Sequence, residues 1–560
     1  MDNENKLPRS SMGNRMCQEY YAPLSLLRAC GYSYEDLNRP RVAVINTYSE
    51  MNPGHMHLRA VGQKVKEGIH DAGGMGFEFN CVSVCDSVAE GPYVLPSRDL
   101  LTNEIELLVE GNKMDAMVLI GTCDKVVPGL LMAAARLDIP SIVVTGGYMQ
   151  TGKLNGEKCD FISIGMSISK VLEGTMSKEE LDQVVEHACP GPGACGMMGT
   201  ANSMNIIAET LGMSLPGNAS TAAISAELEN YAYNAGKQVM TLWEKGITAR
   251  QIITEQSITN AIRVCMAVGG SSNTIIHIPA IATEAELPME CSRVYTEASS
   301  EIPLLVGVRP NLGMHSMQEF AEAGGLGAIL SLLRDRLNTN VMTVTGKTLA
   351  ENMDEDPERC KVKNPEIIHT LDDPLEAGGG LVLCKGNLVP EGAVVKRSAV
   401  PEGMLQFRGP AKVFDDCDLA IDALHAGKIQ AGDAVIIRYQ GVKAGPESAY
   451  RFTAALKGSS VKDKVAIITD GRTSGAAAGA CFQYAAPEAA LRGPLCAVED
   501  GDIICYDIEK KELRIELSDD VLKDRMEHAE LKLYPKKGYL GIYQKCVGSF
   551  LKGAVLRGNW

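Results

Sequence analysis

Arg41-Val-Ala-Val-Ile-Asn46 is a short apolar, β-branched run that breaks abruptly into the polar cluster Asn46-Thr47-Tyr48-Ser49-Glu50. An apolar run of this length with no alternation reads as a strand covered on both faces. A helical pattern follows through His57–Ile69. The same rhythm recurs with Cys81-Val-Ser-Val-Cys85, Met117-Val-Leu-Ile120 and Ser141-Ile-Val-Val-Thr145, each leading through a Gly- or Pro-marked turn into helical periodicity. It predicts an α/β unit built on a parallel, helix-covered sheet. Ligands of such sheets collect beyond the C-terminal strand ends. Three of these ends carry polar clusters: residues 46–50, Asp86-Ser87 and Cys123-Asp124-Lys125.

Beyond about residue 380 the texture changes. Gly378–Gly380, Gly386-Asn387 and short strand signals such as Ala434-Val-Ile-Ile-Arg438, Val465-Ala-Ile-Ile468 and Ile503-Ile-Cys-Tyr506 predict a β-rich, barrel-like second unit. A chain of 560 residues is too long for one core. The expected division is residues 1–375 and 376–560, after the polar stretch Glu355–Lys363.

With 54 basic and 70 acidic residues the formal net charge is −16, which argues against a general nucleic-acid or anionic-membrane surface. An anionic substrate then needs a locally positive pocket. The first residues lack the apolar core of a secretory signal, and no stretch approaches the about 18 uninterrupted apolar residues of a membrane span, so a cytoplasmic protein is expected. The 17 cysteines are scattered rather than framed as a disulfide scaffold, and most read as buried apolar thiols.

Two motifs fail on context. Gly191-Pro-Gly193-Ala-Cys195-Gly196 has dinucleotide-loop spacing, but it follows a helical segment, Leu181–Ala188, and contains a proline. Thr345-Gly346-Lys347-Thr348 resembles the end of a P-loop, yet Val341 stands where the first glycine belongs. No C-x-x-C pair is present, which removes the usual structural zinc site.

Three constellations hold. Gly121-Thr-Cys123-Asp124-Lys125 packs a thiol, a carboxylate and an amine into one turn after a strand. Alone, such a triplet most often means a buried Cys beside a surface ion pair. Gly193-Ala-Cys195-Gly196, leading into Thr200-Ala-Asn-Ser-Met204, adds a second Cys in a Gly-rich turn. Thr469-Asp470-Gly471-Arg472-Thr473-Ser474-Gly475 ends a strand with a Gly-flanked serine.

Together these resemble the signatures of the dihydroxy-acid and sugar-acid dehydratase family, including its 6-phosphogluconate dehydratase branch. Arg9-Ser10, Ser97-Arg98, Gly269-Gly-Ser-Ser-Asn273, Thr343–Thr348, Gly409-Pro-Ala411, Ala486-Pro-Glu488 and Asp500-Gly-Asp502 are similar to family segments in the family's order. The resemblance implies loss of a C2 proton and a C3 hydroxyl from a 2,3-dihydroxy acid, giving a 2-keto-3-deoxy acid. Hydroxide leaves poorly, and the family supplies an Fe–S cluster, [2Fe–2S] or [4Fe–4S], as Lewis acid, with Mg²⁺ at the developing enolate. By resemblance Cys123 and Cys195 ligate the cluster, and Asp86, Asp124 and a carbamylated Lys125 hold Mg²⁺. Ser474 stands where the family has its base, and Arg472 is a candidate for loop order or substrate binding. A homo-oligomer, dimer or higher, is also implied.

Three departures qualify this expectation. Relatives with three cysteine ligands read P-C-[NH], whereas this chain reads Pro53-Gly54-His55. Candidates to complete the cluster are His55, Cys85, an external ligand or a different nuclearity. Gly441-Val-Lys-Ala-Gly-Pro446-Glu447 replaces a loop that ends in a metal-binding Glu, with Glu447 as the candidate substitute. Ala476-Ala477-Ala478 replaces bulkier residues after Ser474. The segment Gly479-Ala-Cys481 points to a sugar-acid substrate; the alternative is the dihydroxy-acid dehydratase of branched-chain amino-acid synthesis. An alternative of another class is a divergent cluster-binding protein without dehydratase activity.

Overall fold

Four parallel strands organise the first half of the computed structural model, which describes residues 18–556 other than 90, 447, 474–478 and 534. They are β1 (Arg41–Asn46), β2 (Met75–Asn80), β3 (Ala116–Gly121) and β4 (Ser141–Thr145), in the order β2-β1-β3-β4. β3 and β4 are buried along their whole length and β1 from Val42 onward, as a sheet covered on both faces requires. Helix Leu58–Asp71 lays Leu58, Val61, Val65 and Ile69 into this core. Helix Val126–Leu137 packs with Val94–Gly111 and Thr274–Glu284. A hairpin of β5 (Gly152–Leu154) and β6 (Glu157–Cys159) follows, and the chain then runs to Glu355 mainly as helices.

One expected strand is displaced. Cys81–Cys85 forms no strand, although Cys81 N–H donates to Asn46 O (2.8 Å), and β2 lies one segment earlier, at Met75–Asn80. β2 is an edge strand with no fully buried residue, so its sequence lacks the apolar run that marks its neighbours. The apolar residues of 81–85 serve the strand's exit instead, with Cys81 turned into the core.

The second unit is a closed eight-stranded barrel: β7 (Val382–Gly386), β8 (Val389–Val395), β9 (Gln406–Phe414), β10 (Ala434–Ile437), β11 (Ala466–Thr469), β12 (Cys481–Ala486), β13 (Ile503–Asp507) and β14 (Glu512–Ile515). The closed order is β10-β11-β12-β8-β7-β14-β13-β9. Cys384, Val395, Ile436, Ile468, Phe482 and Leu513 are among the side chains of its core. After the barrel the chain returns to the first unit, where Tyr543, Val547, Phe550 and Val555 join the core of the parallel sheet. Among the described residues no helix is long and apolar enough to cross a membrane.

The two rejected motifs behave as their context predicted. Residues 191–196 form a turn after the helix Lys178–Ala188, and Thr348 caps the helix Leu349–Glu355.

Candidate active site

The exits of β1, β2 and β3 and the loop 193–198 meet at the C-terminal edge of the parallel sheet. Pairing of backbone groups fixes the loops to one another: Gly193 N–H donates to Pro53 O (3.1 Å), Ala194 N–H to Gly147 O (2.9 Å) and Met149 N–H to Ala194 O (2.7 Å). Gly193 adopts φ +127°, and a Cβ there would lie 2.5 Å from Met149 N, so only glycine fits this crossing. The Asn202 side-chain amide donates to Cys195 O (2.7 Å) and Met197 O (2.8 Å), holding the turn that presents Cys195.

Cys85, Cys123 and Cys195 come together here. Cys123 Sγ donates to Asn52 Oδ1 (3.1 Å) and also lies within hydrogen-bonding reach of the Cys85 sulfur. The adjacent Cys123 thiol first, and then the Ser87 and Val88 backbone, bring the Cys85 thiol down to about 7 despite burial. The same contact, added to burial, drives Cys123 well up. Cys195 is pushed up to about 12, by burial first and then by the neighbouring thiols Cys189 and Cys85. Gly54 lies against this group: a Cβ built on it would stand 2.6 Å from Cys123 Sγ.

His55 is brought to the same place but faces inward. Its Nδ1 donates to Thr47 O (2.7 Å), and its Nε2 accepts from Cys123 N–H (3.0 Å). Both ring nitrogens are thus committed within the fold, and burial lowers the imidazole to about 3. His55 therefore sets the position of Cys123 rather than offering a free nitrogen.

The oxygen donors lie beside the thiols. Lys125, fully buried, pairs with Asp124 and stands 3.8 Å from Asp86 Oδ2. Burial alone would raise Asp124, but Lys125 and then His277 hold its carboxyl well below the usual carboxylate range. Arg472 crosses from the barrel to donate to Asp86 Oδ1 (3.0 Å). The ends of the segments flanking two expected site residues are tied together, since Ala449 N–H donates to Arg472 O (3.0 Å). Ser474 and Glu447 themselves lie outside the described residues.

Several participants escaped the sequence reading. His277, from the helix Thr274–Glu284, is 3.8 Å from Asp124 Oδ1. Its Nδ1 accepts from the Arg98 guanidinium (3.2 Å), which assigns the ring proton to Nε2, facing Asp124. Arg98 is fully buried, pairs with Asp99 (3.0 Å) and donates to Gly553 O and Ala554 O. Gln483 bridges the two units: its amide donates to Ser272 Oγ (2.8 Å) and its carbonyl accepts from Thr473 N–H (3.0 Å). Tyr484 donates to Asn273 Oδ1 (2.6 Å). Only the segments Ser97-Arg98 and Gly269–Asn273 carried any signal of this in the sequence, and none of role.

The donor set divides by chemical softness. Thiols suit iron in a sulfide cluster, and paired carboxylates suit a hard divalent ion such as Mg²⁺. Among the described residues no three His, Cys, Asp or Glu side chains converge on a single point as ligands of one ion. A cluster does not need such convergence, because its ligands reach different irons. Two buried donors at this site, His277 Nε2 and Arg472 Nε, have no hydrogen-bond partner among the described residues, as expected where a further group completes the site.

Comparison with known proteins finds similarity along most of the chain. Residues 39–352 match the dihydroxy-acid/6-phosphogluconate dehydratase N-terminal family, and residues 366–554 match the corresponding C-terminal family. A dihydroxy-acid dehydratase of Caldicellulosiruptor bescii is 44% identical over 543 residues, covering 95% of this chain and 97% of the relative. Dihydroxy-acid dehydratases of Methanobrevibacter smithii and Acetivibrio thermocellus are each 42% identical with the same coverage. The chain belongs to the dihydroxy-acid/6-phosphogluconate dehydratase family of hydro-lyases.

Proposed function

We propose that this enzyme removes water from a 2,3-dihydroxy-3-methyl acid of branched-chain amino-acid synthesis to give a 2-keto acid. The observation that carries the reading is the end-to-end similarity to relatives named dihydroxy-acid dehydratase, at 41–44% identity. It reverses the order suggested by Gly479-Ala-Cys481, which favoured sugar acids.

Cys123 and Cys195 are the proposed cluster ligands; Asp86, Asp124 and Lys125 are the proposed Mg²⁺ ligands, with Glu447 as a further oxygen donor. The bound groups supply a Lewis acid for the departing C3 hydroxyl and positive charge for the enolate. Lys125 already lies between the two aspartates as a cation. Carbamylation would replace its positive charge with a carboxylate and add a third oxygen to theirs. His277, oriented by Arg98, turns its Nε2–H toward Asp124 from 3.8 Å and favours the charged form of a carboxylate that would face the metal. Arg472 sets Asp86 and keeps its unpartnered Nε for the substrate carboxylate, which offsets the repulsion expected from a net charge of −16. Ser474 is the proposed base at C2. Thr473, the residue before it in sequence, is anchored by Gln483, which also binds Ser272 of the first unit. A serine takes a proton only when nearby cations stabilise its alkoxide.

The test is anaerobic purification with iron and sulfide quantified, followed by assay of 2,3-dihydroxy-3-methyl acids and aldonates for 2-keto acid. Turnover of the methyl acids is expected; turnover of aldonates alone restores the sugar-acid reading. A cluster without any turnover supports a binding-only protein, and the absence of iron sinks the mechanism. Ser474→Ala should keep the cluster and lose turnover, and full activity in that variant removes Ser474 as the base.

A further inference from the structure

The cluster ligand missing at position 54 has a replacement in the fold, and we infer that Cys85 is the third thiolate of the iron–sulfur site. This deepens the proposed function and rests on it. Four observations support the inference.

The first concerns the vacated position. The loop 52–55 still touches Cys123, with the Gly54 Cβ direction aimed at its sulfur from 2.6 Å, but it offers no donor. Asn52, the nearest polar side chain, is occupied: its Oδ1 accepts from Gly54 N–H (3.1 Å), and its amide donates to Ser83 Oγ (2.9 Å). His55, the other candidate on that loop, uses both ring nitrogens inside the fold.

Next comes the position of Cys85 itself. The chain is bound into the site on both sides of it: Ser83 Oγ accepts from the Asn52 amide (2.9 Å), Asn52 Oδ1 accepts from Cys123 Sγ (3.1 Å), and Asp86 Oδ2 stands 3.8 Å from Lys125 Nζ, which leaves the Cys85 side chain beside the Cys123 thiol. Cys195 is an electrostatic neighbour of both. Cys189 is also a neighbour of Cys195, but it is exposed, it is not among the groups acting on Cys123, and its own charged neighbours are Asp160 and Cys159.

The third observation is a repeat in the chain. Cys85-Asp86 leaves β2 and Cys123-Asp124 leaves β3, the two strands that flank β1. In each pair the cysteine joins the thiol group while the following aspartate joins Lys125. Two Cys-Asp steps thus deliver sulfur to one side and oxygen to the other from both flanks of the sheet.

Finally, Cys81, its neighbour on the same segment, takes no part. It is buried in the sheet core, and its nearest charge is Glu104.

The experiment compares wild type, Cys85→Ser and Cys189→Ser, each reconstituted anaerobically with ferrous iron and sulfide. Iron, acid-labile sulfide and the visible absorption spectrum are measured per chain. Cys85→Ser should retain less than about a third of wild-type iron and sulfide, since loss of a ligand's supporting partner already costs about 10–100-fold in metal affinity and loss of the ligand itself costs at least as much. Cys189→Ser should match wild type. Full iron and an unchanged spectrum in Cys85→Ser overturn the inference while leaving the proposed function standing. No iron in wild type overturns both.

A second measurement needs no variant. Iodoacetamide alkylation of the wild-type chain, mapped by mass spectrometry before and after reconstitution, should show Cys85 protected together with Cys123 and Cys195. Protection of the latter two with Cys85 still alkylated overturns the inference, whatever the variant does.

Discussion

Replacing Glu488 by Gln should stabilise the protein at neutral pH and leave it almost unchanged near pH 5. Glu488 is fully buried behind the loop that begins at Gly441, where it accepts from Lys443 N–H (3.0 Å); its Oε1 has no partner among the described residues. Burial first, and then the neighbouring Asp470, raise the carboxyl from 4.5 to about 8. Above pH 4.5 the unfolded chain releases this proton while the folded chain keeps it until about pH 8. Stability is therefore present at low pH and lost as pH rises through that window. Between pH 5 and pH 7.5 the difference amounts to somewhat more than two pH units, or about 3 kcal/mol at ~1.4 kcal/mol per unit. Glutamine has no proton to lose and escapes this cost. Taking the barrel as the melting unit, at ~2–4 °C per kcal/mol for its size, the variant should gain about 6–12 °C over wild type at pH 7.5. The assay is differential scanning calorimetry of both proteins at half-unit steps from pH 5 to 8. A gap that stays constant, or narrows with rising pH, refutes the account of Glu488 as a neutral buried acid.

Arg98→Met should cost about 3–5 kcal/mol, because Asp99 is left buried without its counter-charge; the melting temperature should fall, and limited proteolysis should cut first near residue 553. Gly193→Ala should destabilise by about 1–3 kcal/mol, forcing a side chain into a positive-φ position already filled by Met149 N, and the purified protein should carry correspondingly less iron. Gln483→Met removes the bonds to Ser272 and Thr473 N–H; turnover should fall about tenfold, for a loss of ~1.4 kcal/mol of positioning, with iron content unchanged. An equal fall in iron would show that Gln483 acts on the cluster side instead.

The parallel sheet was legible because β1, β3 and β4 are buried on both faces and so write themselves as unbroken apolar runs. β2 was misplaced for the converse reason: an edge strand needs no such run, while Cys81–Cys85 is apolar through its packing and not through pairing. The β character of the second unit showed in its short strands and glycine turns. Its closure did not, because strand order is a matter of partners far apart in the chain. The site divides in the same way. Cys123, Asp124 and Lys125 are adjacent, and their chemistry is visible in one turn. His277 lies 179 residues from the Arg98 that orients it, and Gln483 lies 211 from Ser272. Such pairs leave no local periodicity or spacing to read. Glu488 stood in a segment that could be quoted, but a buried carboxyl with one unpartnered oxygen is a property of its surroundings alone.

The return of the chain after the barrel constrains how this enzyme can open. The barrel leaves the first unit near residue 380 and comes back to it at 538–556, where Tyr539 donates to Pro96 O and Arg98 grips Gly553 and Ala554. It is anchored at both ends in one core, like a drawer on two rails rather than a door on a single pin. A swing about one linker would have to tear out the other anchor, and with it the arginine that orients His277. Substrate traffic must therefore be handled by local displacement of the loops lining the seam, and rates of entry should respond to changes in those loops far more than to changes at either crossing between the units.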